Sequence, residues 1–212
     1  MSAEAAITAQ DALLVIDVQN DFMPGGALAV AAGDEVVPLI NRLATLFKSV
    51  VLTQDWHPGG HASFASSHEG AKPFDVAQAS YGAQTLWPDH CVQGTDGAAL
   101  HDGLKIDHAI LILRKGVNPD VDSYSAFLEA DGVTATGLAP LLRARGIERV
   151  FLCGLATDFC VGFSALDARK GGFQAILIED ACRAIDADGS LDAALAAMNA
   201  AGVVRVASAE LL

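Results

Sequence analysis

The sequence predicts an α/β protein: a single doubly wound domain in which an about six-stranded, mainly parallel sheet carries helices on both faces. Three observations predict this. Continuous apolar runs of strand length (ALLVI, SVVL, AILIL and VFLCGLA) punctuate the chain, and strands buried on both faces read this way instead of alternating. Segments of helical periodicity lie between them. The 212 residues, 52% of them hydrophobic, suffice for one full core. No internal repeat or linker divides them, so one domain is expected over 1–212.

Taken in order, residues 12–16 form the first strand. A helix is expected over 36–47, with Val36, Leu39, Ile40, Leu43 and Leu46 on one face. The second strand is 49–53. An irregular stretch rich in Gly, Pro, His, Ser and Gln follows over 55–102; loops of this length are uncommon in compact domains unless functional, so it is expected to wrap over the site. The third strand is 109–113, and a helix capped by Thr136 runs over 136–145 to Gly146. Strand 149–155 leads into a helix over 159–170, capped by Thr157 and Asp158 and closed by Gly171 and Gly172. Strand 173–178, a helix over 191–201 with Leu191, Leu195 and Met198 aligned, and strand 203–206 complete the chain.

A formal net charge of −13 disfavours nucleic acid and anionic membranes as partners. The apolar runs are too short to span a bilayer, and the first residues lack the basic and apolar regions of a signal peptide. Cys91, Cys153, Cys160 and Cys182 fit no CxxC spacing. A reduced, cytoplasmic protein is the simplest expectation.

Ligands of open α/β sheets bind beyond the carboxyl ends of the strands. The first strand ends at Asp17, the second runs into Asp55 and His57, the third into Lys115, and the fourth leads to Cys160. Cys160 is expected in the first turn of a helix, where unsatisfied N–H groups favour the thiolate and lower a thiol's pKa. Asp17 and Lys115 each end an apolar run and can satisfy one another. Alone they read equally as a structural ion pair under a loop. With a thiol nearby they make a nucleophile, a proton shuttle and a cation that stabilises both anions. Asp55 and His57, at i and i+2, share one side of extended backbone. With His90 they form a plausible first shell for Zn, Fe(II) or Mn, and His61 is a further candidate. His68, His101 and His108 are assigned no role. Phe22 and Trp87 could flank a flat ring by stacking, or could simply pack in the core.

The chain resembles the nicotinamidase branch of the isochorismatase-like cysteine hydrolases. The carriers are VIDVQNDF (15–22), TQDWHPGGHASFAS (53–66), WPDHCVQGT (87–95), RKG (114–116), YSAF (124–127) and GLATDFCV (154–161). The resemblance implies an Asp17–Lys115–Cys160 triad and one divalent metal ion, zinc foremost with iron or manganese as alternatives, held by Asp55, His57 and His90. His61 matches a position that is a ligand in some members but not in all. It further implies Phe22 and Trp87 sandwiching a pyridine ring, with Leu155 also on the substrate side. A cis peptide is implied at Leu155–Ala156, with an oxyanion hole formed by the N–H groups of Ala156 and Cys160.

The implied activity is hydrolysis of nicotinamide to nicotinate and ammonia through a cysteine thioester, in NAD salvage, with pyrazinamide as an analogue. A homo-oligomer is left open. The nearest alternative is a cysteine amidohydrolase of the same fold acting on a carbamoyl or ureido compound; such relatives generally lack this metal set. A vinyl-ether hydrolase would not use the cysteine. A metal or thiol sensor, with Cys91 beside His90 as its best feature, would bind metal without amide turnover.

Overall fold

Strands β1 (Asp11–Ile16) and β2 (Ser49–Asp55) are buried along their whole lengths, as continuous apolar runs covered on both faces must be. In the computed structural model, which describes residues 6–212, they lie at the heart of one parallel six-stranded sheet. The other strands of that sheet are β5 (Leu111–Lys115), β6 (Arg149–Leu155), β7 (Gln174–Arg183) and β8 (Val204–Val206), in the order β5-β2-β1-β6-β7-β8. Helices α1 (Val36–Ala44), α2 (Leu138–Ala144), α3 (Gly162–Lys170) and α4 (Ser190–Ala200) alternate with the strands. The order reverses between β1 and β6, so the chain's switch point lies there, and that is where such sheets open a crevice for a ligand.

Several boundaries depart from the sequence-based expectation. Helix α1 stops at Ala44 and not at 47, because the Leu46 and Phe47 N–H groups turn back to Leu43 and Ala44. Strand β5 starts two residues later than expected and runs through Lys115. Thr136 does accept the Leu138 N–H at 3.2 Å, but left-handed Gly137 occupies the cap position of α2. Strand β7 continues five residues further than expected, past a register shift that pairs Gly154 with Cys182. The stretch 55–102 is not wholly irregular: β3 (Val76–Ala79) and β4 (Gly82–Thr85) form a small antiparallel hairpin.

Gly154, where β6 resumes its pairing with β7, also meets the end of β1 at close quarters. Gly154 has φ +113°, and a Cβ there would lie 2.1 Å from the Ile16 carbonyl oxygen. Only glycine allows β6 to press this close to the end of β1. Among the described residues no helix is long and apolar enough to cross a membrane.

Candidate active site

Lys115, at the end of β5, is wholly buried, and its ammonium is the hub of the crevice. Nζ lies 2.8 Å from Asp17 Oδ2, donates to Asp55 Oδ1, donates to the Ser123 carbonyl at 3.0 Å, and lies 3.4 Å from Cys160 Sγ. A buried ammonium is tolerable only with such a set of anionic and polar partners. Burial alone would lower the Lys115 pKa, but Asp17 and Asp55 outweigh it and hold the group well above its ordinary value.

The two carboxylates sharing this ammonium are pushed in opposite directions. Burial raises Asp17, against the pull of Lys115 and with the help of Asp55. At Asp55 burial is outweighed by Lys115, and the carboxyl sits well below the usual range. Asp17 stands at φ 48°, a left-handed conformation that Asp adopts more readily than most residues. Thr53 fixes it, accepting the Asp17 N–H at 3.0 Å and donating to Oδ1 at 2.5 Å. Oδ2 is paired only with the Lys115 ammonium, at 2.8 Å. It is a basic oxygen with a lone pair to spare.

Cys160 does not sit in the first turn of an α-helix. Residues Thr157–Val161 form a π-helical turn, closed by the Val161 N–H donating to the Ala156 carbonyl at 3.1 Å, and α3 begins only at Gly162. Nor does the helix terminus prevail over desolvation. Burial pushes the Cys160 thiol well above its ordinary pKa; Lys115 opposes this, and Asp17 and Asp55 add to it. Desolvation thus works against the thiolate that a helix terminus would favour. Asp158 does not cap the helix either. Its carboxylate accepts the N–H groups of Ile185 and Asp186 and the Ser190 hydroxyl, at 3.1, 2.7 and 2.5 Å, tying the Cys160 turn to the start of α4 and the segment ahead of it. The peptide Leu155–Ala156 is cis.

Asp55, His57 and His90, all buried, each offer one atom within 4.8 Å of the others'. Asp55 Oδ2 lies 3.7 Å from His57 Nε2 and 3.8 Å from His90 Nε2. The opposite ring nitrogens face carbonyls, His57 Nδ1 that of Gly116 at 3.0 Å and His90 Nδ1 that of Pro88 at 2.8 Å. Carbonyls only accept, so each Nδ1 carries the proton and each Nε2 lone pair points inward. This is the arrangement of metal-ligating histidines, so the residues fit a divalent cation. Gly116, at φ +65°, is required: a Cβ there would lie 2.4 Å from His57 Cε1. His61 is engaged elsewhere, with Nδ1 2.7 Å from Ser63 Oγ and Nε2 2.8 Å from the Asn118 carbonyl. It stacks on His57 with ring centroids 4.3 Å apart and groups with His57 and Asp122, not with Asp55 and His90.

Above these groups lies a narrow recess, open to solvent, lined by Phe22, Trp87, Tyr124 and Phe159 around Cys160 and Ala156. Trp87 Nε1 donates to Tyr124 Oη at 3.0 Å, and the Trp87 ring meets Phe159 edge-on at 4.8 Å. Phe22 lies 5.6 Å from the His90 ring. Leu155 is not in the wall. Its side chain is wholly buried in the core, and Ala156 lines the recess in its place.

The Isochorismatase domain family matches residues 11–210. The chain belongs to the isochorismatase family. A nicotinamidase of Acinetobacter baylyi is 55% identical over 201 residues, spanning 95% of this chain and 94% of that protein. The structure of a nicotinamidase/pyrazinamidase of Acinetobacter baumannii superposes with a TM-score of 0.96 at 54% identity, covering 97% of this chain and 99% of that one. A pyrazinamidase of Pyrococcus horikoshii, solved in complex with zinc, has a TM-score of 0.76 at 39% identity, covering 93% and 99%.

This isochorismatase-family site also uses residues that the sequence reading did not single out. Gln19 clamps the Asp55 backbone from both sides, accepting its N–H and donating to its carbonyl, both at 2.8 Å. Asp21 Oδ2 accepts the Cys91 N–H at 2.7 Å and joins the Phe22 loop to the His90 loop. Thr53, Gln84, Asp122, Phe159 and Ile185 were equally unmarked. Gln19 and Asp21 sit inside VIDVQNDF and Tyr124 inside YSAF, so membership of those motifs was their signal. Gln84 and Asp122 carried none.

Proposed function

We propose that the protein hydrolyses nicotinamide to nicotinate and ammonia, using Asp17, Lys115 and Cys160 as its catalytic triad, and so serves NAD salvage. The observation that carries this reading is the meeting of carboxylate, ammonium and thiol at Lys115 Nζ, beside a buried Asp55–His57–His90 group, in a chain 55% identical to a nicotinamidase. Pyrazinamide, which has the same carboxamide on a similar ring, is an expected second substrate.

Phe22 and Trp87 hold the ring between them and leave the carboxamide above Cys160, which turns an encounter into a positioned attack. Asp17 Oδ2 takes the Sγ proton as sulfur adds to the carbonyl carbon. The carbonyl electron pair moves onto oxygen, where the Ala156 and Cys160 N–H groups receive it; each such donor is typically worth about 10²–10³ in rate. As the carbonyl re-forms, the C–N bond breaks and Asp17 delivers its proton to the departing nitrogen, leaving a thioester. A water then loses a proton to Asp17 and adds to the same carbon. Collapse breaks the C–S bond, sulfur recovers a proton from Asp17, and the carboxylic acid gives its own proton to solvent and leaves as nicotinate. Lys115 stays charged throughout and steadies Asp17 and the sulfur when either is anionic.

Asp55, His57 and His90 would hold the divalent cation, with zinc favoured by one oxygen and two nitrogen donors. When bound it supplies Lewis acidity to a ring nitrogen or a water. The test is ammonia release from nicotinamide by the metal-loaded protein and after chelation, with carbamoyl and ureido compounds run alongside. Turnover of nicotinamide that falls on chelation is expected. Preference for a ureido or carbamoyl substrate would overturn the reading.

A further inference from the structure

Asp122 is a buried carboxylate in the recess wall with no evident task in the chemistry above. Among the described residues no lysine or arginine pairs with it. Oδ1 accepts the N–H of Ser123 at 2.7 Å and Oδ2 accepts Gln84 Nε2 at 2.9 Å. Gln84 Nε2 also lies 2.9 Å from Tyr124 Oη and 2.7 Å from the Thr85 carbonyl, so its two N–H groups are shared among three acceptors, while its own oxygen accepts the Tyr81 hydroxyl at 3.0 Å. The carboxylate is therefore locked in place by the β3–β4 hairpin. A buried carboxylate without a lysine or arginine partner is costly to keep; this one has the ring nitrogens of His57 and His61 within 4.8 Å and faces a cavity that a ligand must share.

The reaction changes the charge of whatever occupies that cavity. Nicotinamide is neutral and its carboxamide offers two N–H donors; nicotinate is an anion and offers only acceptors. A carboxylate accepts hydrogen bonds and repels negative charge, so it treats the two ligands oppositely. Within one small recess, two unit charges screened by an effective dielectric of about 20 interact strongly enough to change affinity by about tenfold or more. Asp17 and Asp55 share the single Lys115 ammonium, whereas Asp122 is held only by N–H donors.

We propose that Asp122 is a specificity-determining residue that separates substrate from product: it tolerates the neutral amide and weakens the hold on the acid formed from it. This rests on the nicotinamidase reading above. Its consequence is that product release is aided by the hydrolysis itself, against the attraction of Lys115 and of a bound cation.

The test is equilibrium binding of nicotinate and of 3-acetylpyridine, a neutral ring analogue, to the metal-loaded protein, followed by Trp87 fluorescence or calorimetry. In Asp122→Asn the ratio of the nicotinate Kd to the 3-acetylpyridine Kd should fall about tenfold relative to wild type. Loss of a purely structural contact would weaken both ligands together and leave the ratio unchanged, which would overturn the proposal. Asp122→Ser provides a second neutral side chain should the Asn variant not fold, and the same shift in ratio is required of it. A wild-type protein that releases no ammonia from nicotinamide would instead sink the functional reading itself, whereas an active protein with an unshifted ratio sinks only the role of Asp122.

Discussion

The floor of the recess comes from strand ends and its roof from loops, and the two hold their side chains by different means. Asp17, Asp55 and Lys115 leave adjacent parallel strands, with Asp55 and Lys115 paired residue against residue, so their backbones are fixed by the sheet ladder. Trp87, Asp122 and Tyr124 have no ladder behind them. Gln84, on the hairpin, binds Asp122 and Tyr124, Tyr124 accepts from Trp87 Nε1, and the Trp87 backbone bonds to Ser63 and Ala65 of a neighbouring loop. The floor gains precision from the fold as a whole, and the roof from a few hydrogen bonds. Damage to the floor should therefore appear in the chemical step, and damage to the roof in binding.

The largest effect is expected at the floor. Cys160→Ala should lower ammonia release by about 10⁶-fold, the order seen when an enzyme's nucleophile is removed, while the metal content and the thermal unfolding of the protein stay close to wild type. Turnover within tenfold of wild type would remove the covalent route.

At the roof, Gln84→Leu leaves Asp122 Oδ2 without its side-chain donor and the Tyr81 hydroxyl without its acceptor, while Tyr124 Oη keeps only the Trp87 bond, at a cost of about 1–3 kcal/mol. The expected outcome is a KM for nicotinamide raised about tenfold, with kcat changed by a smaller factor. Steady-state kinetics giving the reverse split would show that the hairpin acts on chemistry and blur the distinction between floor and roof.

The smallest effect lies at the opposite end of the sheet, where Arg149 pairs with Asp11 through bonds of 2.6 and 2.7 Å. Burial would raise the Asp11 carboxyl, but the bonds from Arg149 and Thr8 outweigh it and hold it below the ordinary value. A carboxyl depressed in the folded state contributes stability above its unfolded pKa of about 3.9, and that stability is lost as pH falls through the lower folded value. Arg149→Met should therefore be less stable than wild type by about 1–3 kcal/mol near neutral pH. Denaturant titrations should find the gap closing in strong acid, with kcat and KM untouched. A gap that persists in strong acid would mean that Arg149 acts through packing and not through its charge.

The same division between floor and roof decides how much was legible in the sequence. Asp17, Asp55, His57, Lys115 and Cys160 each follow an apolar run, and a run of strand length implies that the next polar residue stands at a sheet edge. His90, Phe22 and Trp87 were legible through their motifs. Gln84 and Asp122 were not, because a glutamine in a polar loop looks solvated until the loop folds back on the sheet. Leu155 was misplaced for a related reason. Proximity in sequence to Cys160 and Ala156 says nothing of which way a side chain turns, and it turns into the core.

By itself the sequence determined the alternation of strands and helices, and hence a parallel sheet with its chemistry at one edge, because burial of continuous apolar runs leaves few other ways to pack them. Protonation states were decided only by the tertiary structure. A helix terminus argued for a thiolate at Cys160, and complete burial among two carboxylates argues for a thiol. Two aspartates alike in sequence became one raised and one depressed carboxyl, because pKa values answer to desolvation and to distances of a few ångströms, which are set only when separate strands meet.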